Sequence, residues 1–299
     1  MTLRSLILPI LCALLLQSAQ TYGQSNRNVK AKFTWEIADA EETEVIILQA
    51  MVPTTIEGRQ RVNSVKFSAK PVEDIMDEKG DRYVVFSFRK PDIPAKIVFE
   101  ADMQLFKSGF SSQKMRKQTP PTGIDKYLGN DKFAFPNDPK IKALAAKLKG
   151  SSEEETISNI IYFIAETLEY SKSRNYKRQG NIVTLETKKG ICNDYCDLMI
   201  ALCRANGMPA RISGGYMFQS EFIIPGWDDD KWHAWVEVYM TKYGWVPFDP
   251  TRKNPKGWQS MGPNYIYVTR DVDDTAIRSP YEYKYGGWKP RIDSFISIE

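Results

Sequence analysis

The hydrophobic pattern of this chain changes period twice. Apolar residues alternate loosely with polar ones over 29–37. Residues 45–48 are an apolar run, and short apolar segments recur at 62–67, 83–88 and 96–100. Pro53, Gly58, Pro71, Gly80, Pro91 and Pro94 separate them. Short period-two segments punctuated by turn residues predict an antiparallel, sandwich-like β domain over 24–106. A stretch rich in Ser, Lys, Gln and Pro over 107–123 reads as a linker.

The period then becomes helical. Asn137 or Asp138 caps a helix with Pro139 in its first position, running to Lys149 and stopped by Gly150. Ser152 with Glu155 fits a capping box. Ile157, Ile160, Ile161, Ile164 and Leu168 recur as one buried stripe. The basic and polar residues 172–180 read as a loop. A third helix begins at Cys192, just after Gly190, and runs to Asn206-Gly207 and Pro209. From Ile212 the period returns to two, with strands over 212–216, 232–240, 245–248 and 265–268 and a hairpin turn over 241–244. Helices followed by an antiparallel sheet make an α+β layout over 124–299.

The totals fit two domains. The chain has 299 residues, 42% hydrophobic and 26% charged. Its 41 basic and 37 acidic residues leave a net charge of +4, too even to point to nucleic acid or an anionic membrane surface. Arg4 followed by an apolar run over 6–16 and small polar residues reads as a signal peptide, 1–23. The run is too short to span a bilayer, and no later stretch is long enough. The expected location is therefore exported, periplasmic or extracellular.

Export invites disulfides, yet beyond the leader the chain has Cys192, Cys196 and Cys203 alone. On one helix their Cα atoms stand roughly 6 Å apart at i,i+4 and about 10 Å at i,i+7, with side chains diverging. The Cβ separation of about 3.8 Å that a disulfide needs is not met. Free thiols in an exported protein point to chemistry. Cys192 falls in the first turn of its helix, where unpaired N–H groups and the helix dipole favour an anion. Cys196 and Cys203 read as small core residues. The one histidine, His233, lies in a strand, and the following hairpin brings Asp249 back beside it. A carboxylate there orients an imidazole and stabilises its cation.

A metal site built from Cys192, Cys196, His233 and Asp249 is the competing arrangement, but the paired spacings of zinc sites are missing. Asp228-Asp229-Asp230 lacks an EF-hand pattern and reads as a solvated loop. No cofactor motif is present. Six of the seven tryptophans fall between Trp227 and Trp288, as core and sheet packing or as an aromatic cleft.

Several segments together resemble the core of the transglutaminase-like superfamily. They are Gly190-Ile191-Cys192-Asn193-Asp194-Tyr195, then 201–211 with Gly215-Tyr216, then His233-Ala234-Trp235-Val236-Glu237-Val238, then Gly244-Trp245-Val246-Pro247-Phe248-Asp249-Pro250-Thr251. The resemblance covers roughly 125–251. It implies a papain-like α+β core with Cys192 as nucleophile, His233 as general base and acid, and Asp249 as orienter. Cys196 stands where a small apolar residue is usual. The implied reaction is attack on an amide and formation of a thioester, with a protein or peptide substrate, cell-envelope peptide among them. Water as acceptor makes a protease, peptidase or deamidase, the outcome expected for bacterial members. An amine as acceptor makes a transglutaminase. A binding module that keeps the three residues as packing is the third reading.

Overall fold

A computed structural model of the chain describes residues 26–109, 119–173, 176–218, 232–252, 257–271 and 280–299. The expected leader, most of the expected linker, Trp227 and the Asp228-Asp229-Asp230 run lie outside the described residues.

The β-rich part folds as β1 (Asn26–Ala38), β2 (Thr43–Val52), β3 (Gln60–Phe67), β4 (Glu73–Met76), β5 (Arg82–Arg89) and β6 (Lys96–Phe106). Period-two patterning explains the core. Val29, Ala31, Phe33, Trp35 and Ile37 of β1 and Ile97, Phe99, Ala101, Met103 and Leu105 of β6 are buried. Side chains two apart share a face. β4 escaped the pattern because it is a four-residue edge strand with hardly any buried surface.

The helical part is α1 (Pro139–Leu148), α2 (Glu153–Thr167), a two-residue strand β7 (Glu169–Tyr170), α3 (Asn181–Thr187), β8 (Lys189–Gly190) and α4 (Cys192–Ala205). Asp138 caps α1, accepting from the N–H groups of Lys140 and Ile141. At α2 the Ser152 hydroxyl accepts from Glu155 N–H, while the Glu155 carboxylate reaches Ser151 rather than Ser152. The helix α3 was not anticipated from the sequence. It is one short helix behind Gly180, with no side-chain cap to announce it.

α4 is the centre. Nearly every residue from Cys192 to Arg204 is buried. It packs on a sheet of β9 (Ala210–Met217), β10 (Trp232–Met240), β11 (Gly244–Phe248) and β12 (Tyr265–Arg270), in the order β11-β10-β9-β12. Ala234, Val236, Val238 and Met240 of β10 join the α4 core, whereas Trp235 packs with Tyr265 and Tyr267 in a separate cluster. Gly215 allows β9 and β12 to close, because a Cβ there would lie 1.9 Å from the Ile266 carbonyl oxygen.

The C-terminal strands correct the expected boundary. β13 (Tyr281–Gly287) pairs with β2, and β14 (Arg291–Ile298) pairs with β1. The two sheets of the β part run β13-β2-β5-β4 and β14-β1-β6-β3. A 124–299 unit therefore does not hold at its C-terminal end, because residues 281–298 complete the sheets that β1 and β2 begin. Backbone pairing outweighed sequence order here: Tyr281, Tyr283 and Tyr285 alternate with Glu282 and Lys284 as a strand should, but alternation does not name the partner strand.

The β part and the α4 sheet share a polar seam. Glu237 of β10 is fully buried between Arg211 of β9, 2.7 Å away, and Arg59, 3.3 Å away. Burial raises its pKa, but Arg211 and Arg59 more than reverse this and hold the carboxylate ionised. Removing one partner of such a cluster strands buried charge. Glu237→Ala is expected to cost about 3–5 kcal/mol of stability, read from the denaturant midpoint at constant slope.

Candidate active site

Three segments distant in sequence meet at the N-terminus of α4. Ile191, the N-cap, offers no side-chain acceptor. Asp194 supplies it instead: one carboxylate oxygen accepts from Ile191 N–H at 3.0 Å, the other from Gln179 and Gly180 N–H at 2.6 and 3.1 Å. Asp194 is wholly buried, and these bonds compensate its desolvation. Gly190 is needed beside it, since a Cβ would fall 2.6 Å from the Asp194 Cβ. Cys192 is thereby held at the first helical position, in the field of the unpaired N–H groups.

His233 comes from the start of β10 and Asp249 from just beyond β11, and both are buried. His233 Nε2 lies 2.9 Å from Asp249 Oδ2. The imidazole also faces Cys192. Asp249 Oδ1 accepts from Thr251 N–H at 3.0 Å and from the Thr251 hydroxyl at 2.7 Å. The Tyr265 hydroxyl donates to Oδ2 at 2.7 Å. The carboxylate thus has two partners on each oxygen.

Burial raises the Asp249 pKa, but the His233 cation and the bonds from His233, Tyr265 and Thr251 hold it well below the usual carboxylate range. Burial also works against an imidazolium. The Asp249 charge, its hydrogen bond and Cys192 outweigh that, and the His233 pKa is raised to about 10. Stability from this raised group is complete below the ordinary histidine value and is lost as pH rises through about 10.

The other thiols differ. Burial pushes Cys203 up to about 12 and, with Cys192 and Asp249 nearby, raises Cys196 well above the ordinary thiol. All three cysteines are free. Among the described residues, no group of three or more His, Cys, Asp and Glu is arranged to hold a metal ion.

The structure brings Cys192, His233 and Asp249 together. Sequence reasoning missed Thr251, Tyr265 and Tyr170. Thr251 had a signal, an Asp-Pro-Thr turn in which side-chain capping is ordinary. Tyr170 is set by the parallel β7–β8 pair, which places it opposite Gly190. Its ring packs 5.8 Å from that of Tyr195, and its hydroxyl lies near the backbone and side chain of Cys192. Burial, then the Cys192 charge, raises the Tyr170 pKa, so this hydroxyl keeps its proton. Trp232, next to His233, packs edge-on to Tyr216. Trp235 is core, Trp245 packs edge-on to Tyr127 and Tyr239, Trp258 lies on Phe248, and Trp288 is exposed just beyond β13.

Comparison with known proteins agrees with the fold. Residues 142–250 match the family model described as the transglutaminase-like superfamily. A Bacillus subtilis protein of uncharacterised function, YebA, is 33% identical over 98 residues, 30% of this chain and 13% of the relative. A Pseudomonas aeruginosa protein-glutamine gamma-glutamyltransferase is 33% identical over 72 residues, 22% of this chain and 10% of the relative. The alignments thus span about a tenth of those two proteins. The crystal structure of a candidate cysteine protease from Cytophaga hutchinsonii superposes with a TM-score of 0.60 at 18% identity, covering 90% of this chain and 89% of that one. Its likeness is one of fold. Residues 142–250 are thus similar to the transglutaminase-like superfamily, and the matched segment includes α4 and three of the four strands of its sheet.

Proposed function

We propose that the chain is an exported cysteine-dependent amide hydrolase working through Cys192, His233 and Asp249. The observation that carries this reading is the position of His233, with Nε2 on Asp249 at 2.9 Å and the same ring facing Cys192. Nε2 is occupied, which leaves Nδ1 to exchange a proton with the thiol.

The chemistry follows from that arrangement. The Cys192 thiolate attacks the amide carbonyl carbon, and the imidazolium gives its proton to the departing amine. A thioester and a neutral imidazole remain. Water then attacks the thioester carbonyl, giving a proton to His233. The carboxylic acid product leaves and gives its remaining proton to solvent, and the thiolate and imidazolium are restored. Asp249 keeps its charge throughout and holds the ring. The Tyr170 hydroxyl and the Cys192 backbone N–H, adjacent at the sulfur, are the donors for the tetrahedral oxyanion. Export is supported by the apolar run over 6–16 behind Arg4. The protein or peptide substrate follows from the same acyl chemistry, and the Pseudomonas relative's name keeps acyl transfer to an amine as the second reading.

Iodoacetamide is expected to label Cys192 alone in the folded protein, because Cys196 and Cys203 are fully buried thiols. The Cys192 rate should change as pH rises through about 10, where the imidazolium is lost. His233→Ala should reduce labelling at pH 6 about tenfold or more. Equal labelling of the three cysteines, indifferent to His233→Ala, would sink the proposal. Tyr170→Phe is expected to lower kcat/KM about 10–100-fold with KM little changed, since an oxyanion donor acts on the transition state. A glutamine donor offered with a fluorescent primary amine separates the two acyl acceptors: release of the free acid supports hydrolysis, and amine incorporation supports transfer. Cys192→Ala that preserves the biological activity would favour a binding module.

A further inference from the structure

Tyr265 and the residue that fixes its strand both lie outside the matched 142–250 segment. Tyr265 opens β12, an edge strand of the α4 sheet, while Asp249 follows β11, the opposite edge. The Tyr265 hydroxyl reaches that carboxylate at 2.7 Å, on the same oxygen that takes His233. Its ring is braced edge-on by Trp235 at 5.4 Å and lies 6.3 Å from the His233 ring.

β12 is held from the β part. Gln60 of β3, buried to 1% exposure, uses its side-chain amide as a neighbouring strand would use its backbone. Its Nε2 donates to the Tyr267 carbonyl at 2.7 Å, and its Oε1 accepts from Tyr267 N–H at 2.8 Å. Two residues on, Asp81 accepts from the Thr269 hydroxyl and the Arg270 N–H. Between these polar clamps Ile266 and Val268 enter the core of the β part. The position of Tyr265 is thus set by residues of the other half of the molecule.

We propose that Tyr265 is a positioning residue for the Cys192–His233 pair, and that the β part, through Gln60, holds it there. The proposal rests on the catalytic reading of that pair. Thr251 pins Oδ1 of Asp249 and Tyr265 pins Oδ2, so the carboxylate cannot rotate away from the imidazole. The shared Oδ2 also divides its charge between two donors. Removing the hydroxyl concentrates that charge on His233 and strengthens the hold on its proton. The groups facing the pair are Cys192 and Cys196 of α4, Tyr170 of β7, Tyr265 of β12 and, beyond Tyr265, Tyr267 and Arg252. Of these, Tyr265 alone hydrogen-bonds Asp249 from β12.

His233 is the one histidine of the chain, so a single imidazole reports the arrangement by 15N NMR in the full-length, untagged protein. Tyr265→Phe is expected to move the His233 titration upward by about half a unit or more. Gln60→Ala should move it in the same direction, and the double variant no further than Tyr265→Phe, because both act through one hydroxyl. Gln60→Asn, which keeps an amide, should fall between wild type and Gln60→Ala, and substitutes if Gln60→Ala does not fold. Variants that lose melting temperature while the titration stays put would overturn the proposal, as would additive shifts. A wild-type imidazole that titrates at the ordinary histidine value would overturn the catalytic reading with it. A raised wild-type titration unchanged in the variants would overturn the positioning role alone.

Discussion

The molecule is built around the burial of one charged helix. α4 carries Asp194, Asp197 and Arg204, all excluded from water, on a helix whose other residues are mostly apolar and buried. Burying an unpaired charge is prohibitive, so each must be matched by its surroundings. Asp194 closes the helix N-terminus and the 179–180 backbone. Asp197 takes Arg178 through two guanidinium nitrogens, at 2.9 and 2.5 Å. Arg204 reaches Asp131 and the carbonyls of Gly129 and Ala210. These partners come from the loops before α1 and before α3 and from the first residue of β9. Satisfying the helix therefore orders the segments around it, and Cys192 takes its position as the first residue of an element that cannot shift without uncovering charge.

The same economy governs the seam between the two halves. Glu237, Arg59 and Arg211 form one buried cluster, and Gln60 stands in for a strand. Apolar packing alone gives a broad, forgiving minimum. Directional bonds at buried positions choose one alignment within it, and that alignment decides where the Tyr265 hydroxyl points.

Much of this was legible in the sequence, in proportion to how local the cause was. The β1 and β6 alternation, the Asp138 and Ser152 caps, the helix start at Cys192 and the hairpin carrying His233 to Asp249 all depend on neighbours within a few residues. The encounter of Cys192 with that hairpin is not local, and the resemblance to a known core supplied it. α3 was hidden because a short helix capped by glycine has no side-chain signature. Tyr170 and Tyr265 were hidden because nothing in their own segments requires them. One depends on a two-residue parallel pair, the other on an amide from a strand some 200 positions earlier in the chain. The boundary at 124–299 failed for a related reason: strand pairing with β1 and β2 is a property of the partners, and the Tyr-Glu-Tyr-Lys-Tyr alternation of β13 marks a strand without saying which edge it joins.

The closing of the β sheets by β13 and β14 has a consequence for how the chain is made. β1 and β2 are among the first strands synthesised, and each has one open backbone edge until residues 281–298 arrive. An unpaired, flat edge is a template for any other extended chain. Contacts between positions so far apart also form slowly. The strands of the α4 sheet, by contrast, pair only with one another, within the middle of the chain. Completion therefore runs against synthesis: the part that starts first is sealed last, and for that interval its open edges are exposed to mispairing, which makes an early stop or a clipped C-terminus a route to aggregation before it is a loss of activity.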